Sequence, residues 1–411
     1  MKPKVRFKGF SGEWKEIRLG EIGDICMCKR VMKNETNTSG PIPFYKIGTF
    51  GNEADAFIPE ELFLEYKKKY SYPRKGEVLF SAAGTIGRSV VFDGEPAYFQ
   101  DSNIVWITNS EKIVSNFFLK CAYSIISWNI EDGSIVKRLY NDNIRKTSIL
   151  IPTLPEQTTI ATFFTHLDTL ISSTSRRLDK LRAVKAAALQ TLFPQEGEKE
   201  PRVRFKGFCG EWTSQFASEV FSPIKNNSLS RADLSASGEV MNIHYGDILI
   251  KFGECVSPNI DGVPYVRDNS IGQSLLEKCA LKNGDVIFAD AAEDNTVGKC
   301  TELVANKEDK VVSGLHTIAC RPSFRFADKY LGYHLNSPVF HDQLLPYIQG
   351  SKISSISRKV INNTIIRFPS LPEQTAIANY FTHLDDLIAS TSRRLDKLRA
   401  VKAACMEGMF V

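Results

Sequence analysis

LPEQTTIATFFTHLDTLISSTSRRLDKLRAVKAA, residues 154–187, returns as LPEQTAIANYFTHLDDLIASTSRRLDKLRAVKAA at residues 371–404, with five of 34 positions changed. Within each copy one set of positions recurs in steps of four and three. In the first copy it reads Ile160, Phe164, Leu167, Ile171, Thr174, Leu178 and Leu181, then Lys185, Ala188 and Leu192. In the second it reads Ile377, Phe381, Leu384, Ile388, Thr391, Leu395 and Leu398, then Lys402, Cys405 and Met409. A 3.5-residue period held over four heptads is the seam of a coiled coil. Thr153-Leu-Pro-Glu156 and Ser370-Leu-Pro-Glu373 fit a capping box with proline in the first turn. A helix from Glu156 to Phe193 would be roughly 57 Å long at 1.5 Å per residue. A matched second copy in the same chain favours pairing over two separate surface helices.

A shorter repeat lies upstream of each long one. KVRFKGFSGEW at Lys4 returns as RVRFKGFCGEW at Arg202, with nine of eleven residues identical. The segments between the repeats barely resemble each other, yet their order of elements is similar. GEVLF (76–80) and GDVIF (284–288) read as turn then strand, and NIVWI (103–107) and HTIAC (316–320) as strands. FFLKCAYSII (117–126) and DKYLGYHLN (328–336) read as helices. The fold class is therefore α+β: two mixed α/β domains separated by a long antiparallel two-helix coiled coil, with pseudo-two-fold symmetry. The expected boundaries are 1–152 and 213–369 for the domains, 153–193 and 370–411 for the helices, and 194–212 for a polar linker (PQEGEKEP) plus the second short repeat. In the antiparallel register Leu167 should approach Leu398, and Leu181 should approach Leu384.

Composition narrows the class. The chain has 411 residues, 43% of them hydrophobic and 24% charged, as expected of a soluble globular protein. No run approaches a membrane span, and the first residues lack the apolar core of a signal peptide. The nine cysteines have no framework spacing, which predicts free thiols in a reducing, cytoplasmic setting. A net charge of +5 permits a nucleic-acid partner without arguing for one.

The duplicated LPEQ helices, GEVLFSAAGTIG and FQDSNIVWI in the first variable segment, and YGDIL and SGLHTIACRP in the second resemble the specificity subunit of type I restriction–modification systems. The resemblance covers nearly the whole chain. It implies two target-recognition domains, each reading one half of a split, asymmetric double-stranded DNA site. It implies no chemistry and no cofactor in this chain. The implied partners are two modification subunits that methylate adenine at N6 with S-adenosylmethionine, and restriction subunits that use ATP and Mg. A rigid helix pair suits such a reader, because heads one duplex turn apart need a spacer on the order of 34 Å. The competing reading is a coiled-coil adaptor whose variable domains grip proteins.

The motifs fit a non-catalytic chain. There is no phosphate-cradling GxxxxGK[ST] loop, no adenine-methyltransferase NPPY or DPPY motif, and no metal spacing among the six histidines. His166 and His383 take matching places beside seam leucines and read as flank or packing residues. Candidate DNA contacts in the first segment are Tyr45 and Lys46 after a Pro-rich turn, where an ordinary strand and turn is an equal explanation, and Ser81 and Thr85 in SAAGTIG, whose backbone amides suit phosphate but for which a tight structural turn is the simpler explanation. Lys67, Lys68, Lys69 and Arg74 form the densest basic run; a solvated face is the ordinary explanation, and phosphate contact follows from the resemblance. Lys137, Arg138 and Asn141 precede the first helix. The second segment offers Asn242, His244, Tyr245 and Lys251, then His316, then Lys352, Ser354, Ser355 and Arg358. Asn pairs with adenine and Lys donates to guanine, while packing or turn chemistry is an equal explanation for each residue singly. Asp290, Glu293 and Asp294 either accept from cytosine amines or face solvent.

Overall fold

The computed structural model describes residues 1–128, 138–350 and 353–410. The chain forms two compact units, Met1–Ser175 with Arg393–Val411, and Arg176–Ser392. The division falls inside both long helices, Leu154–Thr191 and Leu371–Met409. Each unit thus takes half of each helix into its own core. No helix among the described residues is long and apolar enough to cross a membrane.

The heptad positions do what their spacing predicts. Ile160, Phe164, Leu167, Thr174 and Leu178 are buried, as are Ile377, Phe381, Leu384, Thr391 and Leu395. Ile171, Leu181, Ile388 and Leu398 are half-buried. In the first unit Phe164 packs against Phe410 with ring centroids 6.0 Å apart, while Asp168, further along, pairs with Lys402, which lies earlier. In the second unit Phe193 stacks on Phe381 at 6.1 Å, and Lys185 pairs with Asp385 at 2.7 Å. In both units a rising number on one helix meets a falling number on the other, so the helices are antiparallel. Leu167 and Leu398 share the first unit's core, and Leu181 and Leu384 share the second's. His166 and His383 are exposed.

The two repeats belong together because they touch. Arg6 of the first short repeat donates to both oxygens of Glu156 at 2.7 Å, and Arg204 of the second donates to both oxygens of Glu373 at 2.7 and 2.8 Å. Each short repeat also holds the end of the other helix in its unit. The Val5 amide donates to the Gly408 carbonyl, and the Val203 amide to that of Thr191. Phe7 meets Phe163 edge-on, and Phe205 meets Tyr380 likewise, both at 5.6 Å. Gly408 permits this approach, since a Cβ there would lie 2.9 Å from the Val5 side chain. The predicted capping box is accordingly corrected: the Glu156 and Glu373 carboxylates serve the arginines, and among the described residues neither Thr153 nor Ser370 donates an amide to them. The following Gln157 and Gln374 side chains donate back to the Pro152 and Pro369 carbonyls and accept from the Ser115 and Ala327 amides. The LPEQ motif is thus a joint between helix and domain.

The mixed regions share one topology. In the first unit, strands Ile25–Met27, Ile104–Ile107, Val78–Ser81 and Ser89–Val91 lie in that order, all antiparallel. A smaller sheet sets Ile42–Tyr45 parallel to Tyr98–Phe99 and antiparallel to Phe57–Ile58. In the second unit the order is Phe221–Ile224, Thr317–Pro322, Val286–Ala289 and Cys300–Leu303, with Cys255–Val256 added at the edge. Its smaller sheet again contains a parallel pair, Met241–Ile243 beside Val311–Ser313. Asn116–Tyr123 and Tyr330–Leu335 form the predicted helices. The strand cores are apolar on both faces, as in Phe80, Val105 and Trp106 of the first unit and Ile287, Phe288 and Ala319 of the second.

Candidate nucleic-acid interface

Parallel neighbours deliver their following loops to the same edge of a sheet. In the first unit this brings residues 45–47 beside residues 100–103. The Gln100 amide donates to the Tyr45 carbonyl at 2.8 Å, and the Ile47 amide donates to Gln100 Oε1 at 2.9 Å. Ala82, just past its strand, links this turn to a further segment: its amide donates to the Asn103 carbonyl, and its carbonyl accepts from the Leu139 amide. The result is an open cleft of about 500 Å³ lined by Arg30, Lys33, Lys46, Arg138 and the 100–103 turn. Arg30 Nε donates to Asp101 Oδ2 at 2.7 Å, and Arg138 donates to the Ser102 hydroxyl. Lys46 pairs with Asp55 at 2.9 Å. The cleft carries more cationic than anionic side chains.

The second unit repeats this construction with different residues. Its parallel pair brings His244 and Tyr245 beside residues 314–316, with the Gly314 amide on the Ile243 carbonyl. Gly314 is obligatory for space, since a Cβ would meet Asn242 Nδ2 at 2.5 Å. His316 holds a φ of 54°, a conformation uncommon for a side-chain-bearing residue and concentrated at functional sites. Its Nδ1 lies 3.2 Å from Asp290 Oδ1, and its ring meets Tyr245 edge-on at 5.2 Å. Asp290 also accepts, at its carbonyl, the Ile356 amide, the counterpart of Leu139 on Ala82. Burial raises the Asp290 carboxyl above its ordinary pKa, opposed by His316; burial, then Arg231, lowers the His244 imidazole. Arg231 grips Asp247 through two bonds of 2.8 and 2.9 Å.

The structure sorts the sequence candidates. Lys46 and Arg138 line the first cleft; Tyr45 does not, and instead stacks on Phe99 at 5.7 Å in a separate pocket. Thr85 is exposed on its turn, whereas Ser81 is buried and bonded to the Thr85 carbonyl and the Arg88 amide, so it shapes the turn instead of reaching outward. His244, Tyr245 and His316 gather in the second unit, where Ser354 and Ser355 pair with Ala291–Ala292. Arg358 donates to the Ile224 carbonyl. Asn242 is a correction: it is fully buried and accepts from Asn227, out of reach of any duplex. Lys251 is committed to the Gly262 carbonyl at 2.5 Å. Lys67, Lys68 and Lys69 end the helix Glu60–Lys69 and, like the exposed Arg74, do not line the cleft. Lys67 sits over the Phe63 and Tyr72 rings, and Lys69 pairs with Glu65. Asn141 is exposed at the start of a short helix. Lys137 and Lys352 lie outside the described residues. Arg30, Lys33, Arg231 and the Asp101 support were missed by residue reading, while Asp290, singled out in sequence, is half-buried and lies against His316; FQDSN and SGLH, at matching places after the parallel strands, were the available signal. Among the described residues no three His, Cys, Asp or Glu side chains gather as a metal site.

Two mixed domains of one topology, each presenting a loop cluster and each gripping antiparallel helices, define a paired recognition scaffold. The family model for the type I restriction modification DNA specificity domain matches twice, at residues 11–183 and 233–400. A Haemophilus influenzae chain described as a type I restriction enzyme specificity subunit is 56% identical over 164 residues, which are 40% of this chain and 43% of that one. A Methanocaldococcus jannaschii type I restriction enzyme specificity subunit is 23% identical over 322 residues, 74% of this chain and 72% of that one. In fold, the chain is similar to the crystal structure of a type I restriction–modification S subunit from M. genitalium, with a TM-score of 0.60 and 13% identity over 100% of this chain and 99% of that one. The chain belongs to the family of type I restriction–modification DNA specificity proteins.

Proposed function

We propose that the chain is the DNA-sequence-specificity subunit of a type I restriction–modification enzyme. Residues 1–152 and 213–369 each read one half of a split, asymmetric site. The carrying observation is the twofold family match together with two loop clusters built alike from unlike residues. A shared frame with different side chains at its edge is what two different half-sites require. The cationic groups at the first cleft supply phosphate affinity, and base-edge contacts supply the code. The chain contributes no catalysis. Two modification subunits methylate adenine at N6 with S-adenosylmethionine, and restriction subunits supply ATP- and Mg-dependent cleavage. Sequencing of methylated adenines in a host with the system, with and without this chain, tests the reading. One bipartite methylated motif that disappears with the chain is the expected result; an unchanged pattern overturns it.

A further inference from the structure

We propose that Arg30 reads a G·C pair in the half-site held by the first domain, with Asp101 as the positioning residue that aims it. The inference rests on the DNA-binding reading above and names one contact within it. Arg30 follows the strand Ile25–Met27 and stands at the first cleft with 66% of its side chain exposed. Asp101 is only 15% exposed, on a turn closed by the Ile104 amide bonding to its carbonyl. The bond from Arg30 Nε to Asp101 uses one side of the guanidinium. Among the described residues Nη1 and Nη2 make no bond. The free edge of the fork presents two parallel N–H donors, which match the O6 and N7 acceptors of guanine in the major groove.

Orientation is the argument for a base over a phosphate. A phosphate contact needs charge and tolerates a mobile side chain. Lys33, at the same cleft, already offers that. Arg30 instead has one side of its guanidinium anchored before any ligand arrives, by a carboxylate that is itself mostly buried. Asp101 is the acidic residue among those lining the cleft, and Arg30 covers it, so an incoming duplex does not meet a bare carboxylate.

The test compares wild type, Arg30→Ala and Arg30→Lys, each with its modification partner. Sequencing of methylated adenines should show one guanine position of one half-site relaxing to other bases in Arg30→Ala, with the other half-site unchanged. Duplexes carrying the wild-type motif with 7-deazaguanine at that position should bind wild type roughly ten-fold more weakly or worse, and leave Arg30→Ala unaffected. Arg30→Lys can still donate to guanine but lacks the planar fork anchored by Asp101, so it should discriminate less well than wild type and better than Arg30→Ala. An unchanged motif, relaxation at a position other than guanine, or full discrimination by Arg30→Lys overturns the assignment. Losses from 7-deazaguanine that are equal in wild type and Arg30→Ala overturn it as well. Wild type without any preferred duplex defeats the DNA-binding reading itself, whereas preferred binding indifferent to Arg30 defeats only this contact.

Discussion

Arg204 and Glu373, 169 residues apart, meet through two hydrogen bonds of 2.7 and 2.8 Å. Arg6 and Glu156 form the same fork in the first unit. The guanidinium of each arginine is driven up from its ordinary pKa, chiefly by its bond to the glutamate. Breaking one fork should weaken one unit and spare the other. Glu373→Gln keeps the shape and removes the charge, at a cost of about 2 kcal/mol for a charged hydrogen bond. Urea titration read by hydrogen exchange should show the loss in segments of Arg176–Ser392. Uniform exchange in both units would contradict the joint described above.

Lys185 occupies a seam position and bridges Glu254 and Asp385 at 2.7 Å each, while Tyr333 also donates to Asp385. Burial pulls the lysine's pKa down, and the two carboxylates together more than restore it. Lys185→Met leaves those carboxylates facing each other. The expected loss is about 2 kcal/mol, below that of a fully buried pair because Asp385 is partly exposed to solvent. Adding Asp385→Asn should recover part of it, giving a non-additive cycle in denaturant titrations. Additive effects would mean that the three groups do not act together.

The His334 ring is enclosed by Phe193, Tyr330 and Phe340, and neither nitrogen has a partner among the described residues. Burial pushes its pKa down to about 3. The unfolded chain takes up this proton near pH 6.5, well before the folded chain does. Stability from this group is therefore full above that value and falls with acidification toward the folded pKa, by up to about 1.4 kcal/mol per pH unit. His334→Leu removes the titration. Between pH 7 and pH 5 the variant should lose about 2 kcal/mol less than wild type, measured by urea unfolding at both values. Equal losses would show that another group governs the acid limb.

DNA affinity should fall steeply with salt through counterion release. Lys33→Ala should lower the slope of log affinity against log salt by about one and leave the methylated motif intact. His316→Ala should instead alter the motif, in the half-site that Arg30 does not touch. Filter binding at several salt concentrations and methylation sequencing read the two effects separately. A motif change from Lys33→Ala, or none from His316→Ala, would reverse these assignments.

The helices are legible in sequence because a 3.5-residue period survives without tertiary knowledge. Glu156 is not, because its partner lies 150 residues away and the local spacing imitates a cap. Asn242 misleads for a related reason: polar residues near a turn suggest a surface, while the parallel pairing with Val312 buries this one. Lys67 to Lys69 form the loudest basic signal, yet they end a helix away from the cleft. Arg30 and Asp101 stand 71 residues apart, and only the topology brings them together.

The final helix residues have a consequence for synthesis. Met406, Met409 and Phe410 sit in one core with Trp14 and Phe118. The ribosome makes Trp14 and Phe118 long before Met406, Met409 and Phe410. The unit containing Met1–Ser175 therefore stays unfinished until the stretch from Arg393 onward has been made, while Arg176–Ser392 already holds every piece of its own core. Birth order and completion order are inverted, and removing Met406, Met409 and Phe410 would wound the first unit while leaving the core of the second whole.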